Sequence, residues 1–170
     1  MMSGMDITLR TARPAEYPAV GELVAAAYLD DGLLTYGTED PYLDILRDTA
    51  GRARQAELMV AVDAGGTLLG TVTFAAEPPY AQIAAADEAE FRMLAVAPAA
   101  RGRGAGELLV RDCLRRTAEL GRRRLVLSTS SAMHTAHRLY QRLGFRRAPE
   151  RDWDPIEGVS LMVFTGEAPG

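Results

Sequence analysis

Arginine and glycine alternate through Arg101-Gly102-Arg103-Gly104-Ala105-Gly106, a spacing suited to holding phosphate. Glycines let backbone N–H groups converge on an anion without Cβ obstruction. A helix that follows leaves its first amides unpaired, and Arg101 and Arg103 add charge. A pyrophosphate satisfies all three features. Two other stretches carry groups able to move a proton: Glu88 and Glu90 at the head of a strand-like run, and Tyr140 on a helix-like one. A carboxylate accepts a proton. A phenol, with an ordinary pKa of about 10, stays protonated at neutral pH and can donate one.

The spacing rejects two nucleotide loops. A Walker loop needs Lys and then Ser or Thr after its last glycine, where this chain has Glu107 and Leu108. A dinucleotide fingerprint needs glycine at 107 or 109, where Glu107 and Leu109 stand. The remaining pattern is Arg-x-x-Gly-x-Gly, with Arg101, Gly104 and Gly106 at its defining positions.

The elements that position these residues follow from periodicity and punctuation. Residues 7–10 read as a first strand, and Pro14 opens a helix with Val20, Leu23, Val24 and Ala27 at helical spacing. Residues 30–42, with Gly32, Gly37 and Pro41, read as a loop, and 42–53 as a second helix with Leu43 and Leu46 on one face. Runs over 58–62 and 67–75 flank Ala64-Gly65-Gly66, a hairpin signal. After an irregular connection over 77–87 come strand four (89–96), helix three (106–120, stopped by Gly121) and strand five (124–128). Helix four (135–143) is stopped by Gly144; part of 145–153 forms strand six, and 159–165 the last strand. Alternation in strand four predicts Glu90, Arg92, Leu94 and Val96 on one face, with Phe91, Met93 and Ala95 as an apolar face against a helix.

With 170 residues, no internal repeat and no long linker, the expectation is a single domain over 1–170. The lone Cys113 cannot form an internal disulfide, no apolar run reaches the roughly 20 residues of a membrane span, and Met1–Asp6 lacks the regions of a signal peptide. A cytoplasmic protein without a membrane partner is expected. Every basic side chain is Arg, and the charges are segregated: residues 1–90 carry a net −10, residues 91–148 a net +10, and the tail −4. An anionic partner is expected for the middle segment. The overall net charge of −4 and the few aromatics among the arginines argue against nucleic acid.

The Arg-x-x-Gly-x-Gly loop, together with Ala136-His137-Arg138-Leu139-Tyr140-Gln141-Arg142-Leu143-Gly144-Phe145, resembles the GNAT superfamily of N-acetyltransferases, whose second signature is A-x-x-L-Y-x-x-x-G-F. The resemblance implies an α/β fold with a mixed, strongly twisted sheet of about six to seven strands and about four helices, strands four and five splaying to admit pantetheine. It implies acetyl-CoA as acyl donor, its diphosphate on Arg101, Gly102, Arg103, Gly104, Ala105 and Gly106, and its pantetheine and thioester along Leu94, Ala95 and Val96. Glu90 corresponds to a general base, with Glu88 as substitute, and Tyr140 to the acid that protonates the departing thiolate. Met133 stands where many relatives place a cofactor-contacting Asn, and Ser130, Ser131 or Thr129 can supply that polar contact. The implied reaction is direct transfer to a primary amine in a ternary complex. The alternative is a non-catalytic acyl-CoA-binding or sensing module of the same fold. Homodimers are common in that family. A cationic acceptor suits the acids of 30–42 and 77–88: Asp30, Asp31, Glu39, Asp40, Glu77, Asp87 and Glu88.

Other chemistries fit less well. His134 and His137 have no Cys, Asp or Glu near them in sequence, so a surface pair is expected rather than a metal site. Cys113 falls on a side of helix three with Leu109 and Leu120 that reads as core-facing, where a thiol is a poor nucleophile. No G-x-S-x-G elbow is present.

Overall fold

The computed structural model describes residues 6–170; the expectation for Met1–Asp6 falls largely on residues outside that range. The chain groups into two compact units, Met1–Phe74 with Met93–Val110, and Ala75–Arg92 with Arg111–Gly170. The strand β4 (Glu88–Val96) and the helix α4 (Ala105–Glu119) run through both.

The first unit opens with β1 (Thr8–Thr11), which pairs antiparallel with β2 (Glu57–Val62), itself paired antiparallel with β3 (Leu68–Ala75). Asp63 makes the β2–β3 turn: its Oδ1 accepts from the amides of Gly65 and Thr67 at 2.9 and 2.8 Å, and Gly66 takes a positive φ. Between β1 and β2 lies α1 (Tyr17–Asp30). Its Val20 packs with Ala12, Leu58, Val60 and Val62, and its Val24 and Ala25 with Leu43, Leu46, Met93 and Ala95. Gly21 permits close approach, since a Cβ there would lie 2.9 Å from the Arg47 carbonyl oxygen and from Thr49 Oγ1.

The second helix expected over 42–53 is two helices, α2 (Tyr42–Arg47) and α3 (Thr49–Gln55). Asp48 makes the break: its side chain accepts from the Gly51 amide at 3.1 Å and so caps α3. Buried Arg52 then closes α2 by donating Nη1 to the carbonyls of Ile45 and Leu46 at 3.1 and 2.7 Å.

In the second unit, β4 pairs in parallel with β5 (Arg124–Thr129) over Glu88↔Arg124, Ala89↔Leu125 and Glu90↔Val126. On its other edge β5 runs antiparallel to β8 (Val159–Glu167) along its whole length. Next to β8 come the two-residue β6 (Arg146–Arg147) and a strand not foreseen from sequence, β7 (Trp153–Ile156), which meets β8 in a tight turn through Gly158. Strand order is β1-β2-β3-β4-β5-β8-β6, with β7 on β8: among the described residues, a mixed sheet of eight strands with five α-helices. The helix α5 (His134–Arg142) ends at Gly144, whose positive φ lets the Phe145 amide reach back to the Tyr140 carbonyl at 2.9 Å.

Two expectations are corrected. Leu120 lies beyond the end of α4 and is exposed; the buried face of that helix runs through Leu109, Val110, Cys113 and Thr117. Nor do Phe91, Met93 and Ala95 form one apolar face. Met93 has φ +58°, which interrupts the alternation of β4. Phe91 stacks edge-on against Tyr140 of α5, whereas Met93 and Ala95 join the cluster of α1 and α2.

Phe145 fixes the turn after α5 against β8, where a Cβ on Gly166 would come within 3.0 Å of three of its ring atoms. The ring is buried and already packed on Tyr140, so it has little room to yield. Gly166→Ala is therefore expected to destabilise the protein by about 1–3 kcal/mol through overpacking, measured by urea unfolding; an unchanged midpoint would contradict this packing.

Candidate functional site

In the first unit, a short turn over Pro98–Ala100 follows β4, and buried Ala100 and Ala105 pin the ends of the glycine loop. Within it the Arg103 amide returns to the Ala100 carbonyl at 3.2 Å, while Gly102 and Gly104 take φ of +82° and +87°. A Cβ at either would meet open space, so backbone conformation rather than crowding requires glycine there. The first α-helical bond of α4 runs from the Leu108 amide to the Gly104 carbonyl, so the amides of Ala105, Gly106 and Glu107 precede the ladder.

The arginines of this loop differ from most others in the basic segment. Arg115 and Arg116 pair with Asp112, Arg122 with Glu77, Arg123 with Asp87, Arg124 with Glu88, and Arg147 with Asp152. Arg101, which is exposed, and Arg103, half-buried, have no ion pair among the described residues. Their positive charge is uncompensated beside positive-φ glycines and a helix start, the combination that fits a diphosphate. Leu94, Ala95 and Val96 belong to the same unit, in the part of β4 beyond its pairing with β5. The Gly70 position on β3 admits the Ala95 carbonyl, which would lie 3.0 Å from a Cβ there.

The second unit holds the proton-moving candidates. Glu90 is buried, and its Oε1 accepts from the amides of Gln82, Ile83 and Ala84 at 2.8, 2.8 and 3.1 Å. Its other oxygen, Oε2, has no hydrogen bond among the described residues. Burial raises the Glu90 pKa above the ordinary carboxylate value, against the opposing pull of the three amides and the nearby Arg92 charge. Arg92 lies over the Tyr80 ring at 4.6 Å and donates to the Tyr80 carbonyl at 3.3 Å.

Glu88 is equally buried but differently used. Arg151 binds it bidentately at 2.8 and 2.9 Å, Arg124 reaches it at 3.2 Å, and the Ala85 amide donates at 3.0 Å. Burial pushes its pKa up, yet the Arg151 hydrogen bond, the Ala85 amide and the fields of Arg151 and Arg124 outweigh that and hold it low. Two carboxylates two positions apart thus acquire opposite tendencies. The environment favours Glu90 over Glu88 as a base.

Tyr140 is buried among Phe91, Phe145 and Phe164, with ring centroids 5.8–5.9 Å away. Ser130 and Met133 lie in the turn before α5. The Ser130 hydroxyl accepts from the Ala132 amide at 3.3 Å, Met133 donates its amide to the Ser130 carbonyl, and Met133 Sδ lies 3.5 Å from Thr129 Oγ1. His137 has a structural place: its Nε2 meets the Ser130 carbonyl at 2.9 Å, its ring stacks on Phe164, and burial lowers its pKa. Among the described residues no group of three or more His, Cys, Asp or Glu could hold a metal, and no helix is long and apolar enough to cross a membrane.

The acids expected to meet a cationic acceptor are largely engaged elsewhere. Glu77, Asp87 and Glu88 are bound to arginines of their own unit. Asp40 accepts from the amides of Tyr36 and Tyr42, which leaves Asp30, Asp31 and Glu39 exposed to solvent. Sequence reasoning missed Arg151, because its partner Glu88 is 63 residues away and nothing local marks the pairing.

The model of the acetyltransferase (GNAT) family matches residues 21–145. An uncharacterized N-acetyltransferase of Schizosaccharomyces pombe is 33% identical over 105 residues, which are 62% of this chain and 61% of that relative's length. Among solved structures, a GCN5-related N-acetyltransferase from Kribbella flavida is 30% identical with a TM-score of 0.70, covering 96% of this chain and 98% of that one. A GNAT superfamily phosphinothricin acetyltransferase from Sinorhizobium meliloti, in complex with acetyl-CoA, shares the fold at 22% identity and a TM-score of 0.71, covering 96% of this chain and 89% of that one.

Replacing Glu88 by Gln leaves the guanidinium groups of Arg151 and Arg124 without their counter-charge. Each is about a third exposed and partly rehydrates, so the expected cost is about 2–3 kcal/mol, below that of a fully buried pair. Because the folded-state pKa of Glu88 is depressed, its contribution is present above the unfolded-state pKa and lost as pH falls through the folded value. Urea unfolding across acid pH should show that dependence weakened in Glu88→Gln; a variant with the parent's stability and acid profile would contradict the pairing.

Proposed function

Because the chain belongs to the acetyltransferase (GNAT) family, we propose that it transfers the acetyl group of acetyl-CoA directly to a primary amine. The observation that carries this reading is the glycine loop, where two arginines without ion pairs flank a positive-φ glycine ahead of α4. Arg101, Arg103 and the amides of Gly102, Gly104, Ala105 and Gly106 hold the diphosphate. Backbone groups of Leu94, Ala95 and Val96 align the pantetheine and polarise the thioester carbonyl. Ser130 and Met133, in the turn before α5, flank the cofactor, with Ser130 supplying the polar contact.

An alkyl ammonium with a pKa of about 10 is unprotonated in roughly one molecule per thousand at pH 7, so the amine needs a base. Glu90 takes that part. Three amides already bond its Oε1, and Oε2, without a hydrogen bond among the described residues, accepts the amine's proton. The amine nitrogen forms the new bond to the acetyl carbon, the C–S bond breaks, the Tyr140 hydroxyl gives its proton to the sulfur, and the second proton shed by the nitrogen restores the phenol. Asp30 at the end of α1, and Asp31 and Glu39 in the segment after it, all exposed, are the acids left to attract a cationic acceptor.

Purified protein mixed with acetyl-CoA and a panel of primary amines should release free thiol in an amine-dependent manner. Glu90→Gln and Tyr140→Phe are each expected to lower kcat by about 100-fold or more. Replacing Arg101 and Arg103 by Ala should raise the acetyl-CoA KM by about tenfold or more with less effect on kcat. Since the Glu90 pKa is raised and the base must be ionised, kcat should climb with pH through a value above the ordinary carboxylate range. Acetyl-CoA binding without amine-dependent thiol release would favour a carrier or sensor of the cofactor over a transferase.

A further inference from the structure

The segment 82–85 is held at four consecutive residues. The Gln82, Ile83 and Ala84 amides reach Glu90 Oε1, and the Ala85 amide reaches Glu88 Oε1. One guanidinium spans the arrangement: Arg151 Nη2 donates at 2.9 Å to the Ile83 carbonyl and at 2.8 Å to Glu88 Oε1, while its Nη1 donates at 2.9 Å to Glu88 Oε2. No other side chain in this group bonds both the segment and one of the two carboxylates. An Arg fork suits the task, because its planar donors engage both carboxylate oxygens and still leave a donor for a carbonyl.

We propose that Arg151, acting with Glu88, is a positioning residue for Glu90: it holds the 82–85 segment in place, so that three amides fix Glu90 Oε1 and leave Oε2 to take the acceptor's proton. This inference rests on the reading of Glu90 as the base. Arg151 does not touch the reacting atoms; it acts through the segment. Without it the segment loses its tie at the Ile83 carbonyl, only the Ala85 amide still links it to Glu88, and the amide donors drift from Glu90. Those donors favour the ionised carboxylate, so their loss makes Glu90 harder to ionise. The charged groups beside Glu90 on its own strand are Arg92 and Glu88, and Glu88 is in turn bound by Arg124 of β5 and Arg151 of the 149–151 turn. Residues Gln82 to Ala85 bring no charged side chain.

Arg151→Lys and Arg151→Met separate grip from charge, because Lys keeps the charge but cannot bridge two carboxylate oxygens and a carbonyl. In both variants the acid limb of the kcat–pH profile is expected to move up by about one unit, and the amides of Gln82, Ile83 and Ala84 to exchange hydrogen at least tenfold faster. Should Arg151→Met fail to fold, the Lys variant and its amide exchange decide alone. A shift in Arg151→Met but not in Arg151→Lys would mean that only the field of the charge matters, and would overturn the inference. So would profiles and exchange rates that superimpose on the parent's. Glu90→Gln run alongside tests the underlying reading separately: if its acid limb persists, Glu90 is not the base, whatever Arg151 does.

Discussion

The strand β4 begins in a parallel ladder and continues beyond it, and on the way its alternation resets at Met93. The ladder with β5 covers Glu88, Ala89 and Glu90; three residues later a non-glycine backbone takes φ +58°. A side chain in that conformation costs about 1 kcal/mol. The packing of Met93 with Val24, Leu43 and Leu46 offsets it. Because of the reset, the first part of the strand gives Phe91 to the aromatic group around Tyr140, and the second gives Met93 and Ala95 to the helices α1 and α2. Glu90 stands before the break; Leu94, Ala95 and Val96 stand after it.

The second ordering constraint is electrostatic. A chain whose basic residues are all arginine, most of them in one segment, gathers charge that must be balanced or put to use. The acidic connection balances much of it: Glu77, Asp87 and Glu88 take Arg122, Arg123, Arg124 and Arg151. Arg101 and Arg103 are left outside this pairing. The basic stretch is thereby largely neutralised around this connection, while the glycine loop keeps two arginines without ion pairs among the described residues. Pairing also sets the two carboxylates of β4 apart, one tied to arginines and held ionised, the other bonded by amides in a buried place that resists ionisation.

Local signals were enough to read most elements and the glycine loop from the chain itself. Ala64-Gly65-Gly66 marks a hairpin, Gly144 stops α5, and Cys113 faces the core, all as spacing predicts. The family resemblance carried by Arg101–Gly106 and Ala136–Phe145 agrees with the family match. The features that escaped depend on contacts distant in sequence or on one residue's backbone. Asp48 splits a continuous helical pattern because its side chain caps α3. Met93 reverses a phase that alternation alone carries straight through. β7 is four residues long, contains a proline, and exists by pairing with β8. Arg151 looks like an ordinary surface cation until the fold brings it to Glu88.

The proposed activity rests on backbone amides and two arginines at the head of α4 gripping the diphosphate of coenzyme A. A titration of 15N-labelled protein with coenzyme A and, separately, with pantetheine, following each backbone amide, reads that grip without intermediaries. With coenzyme A, the amides of Gly102, Gly104, Ala105 and Gly106 should show saturable shifts among the largest in the protein, and pantetheine, which lacks the diphosphate, should leave them nearly unmoved. Coenzyme A binding that leaves those four amides unshifted would contradict a diphosphate site in this loop.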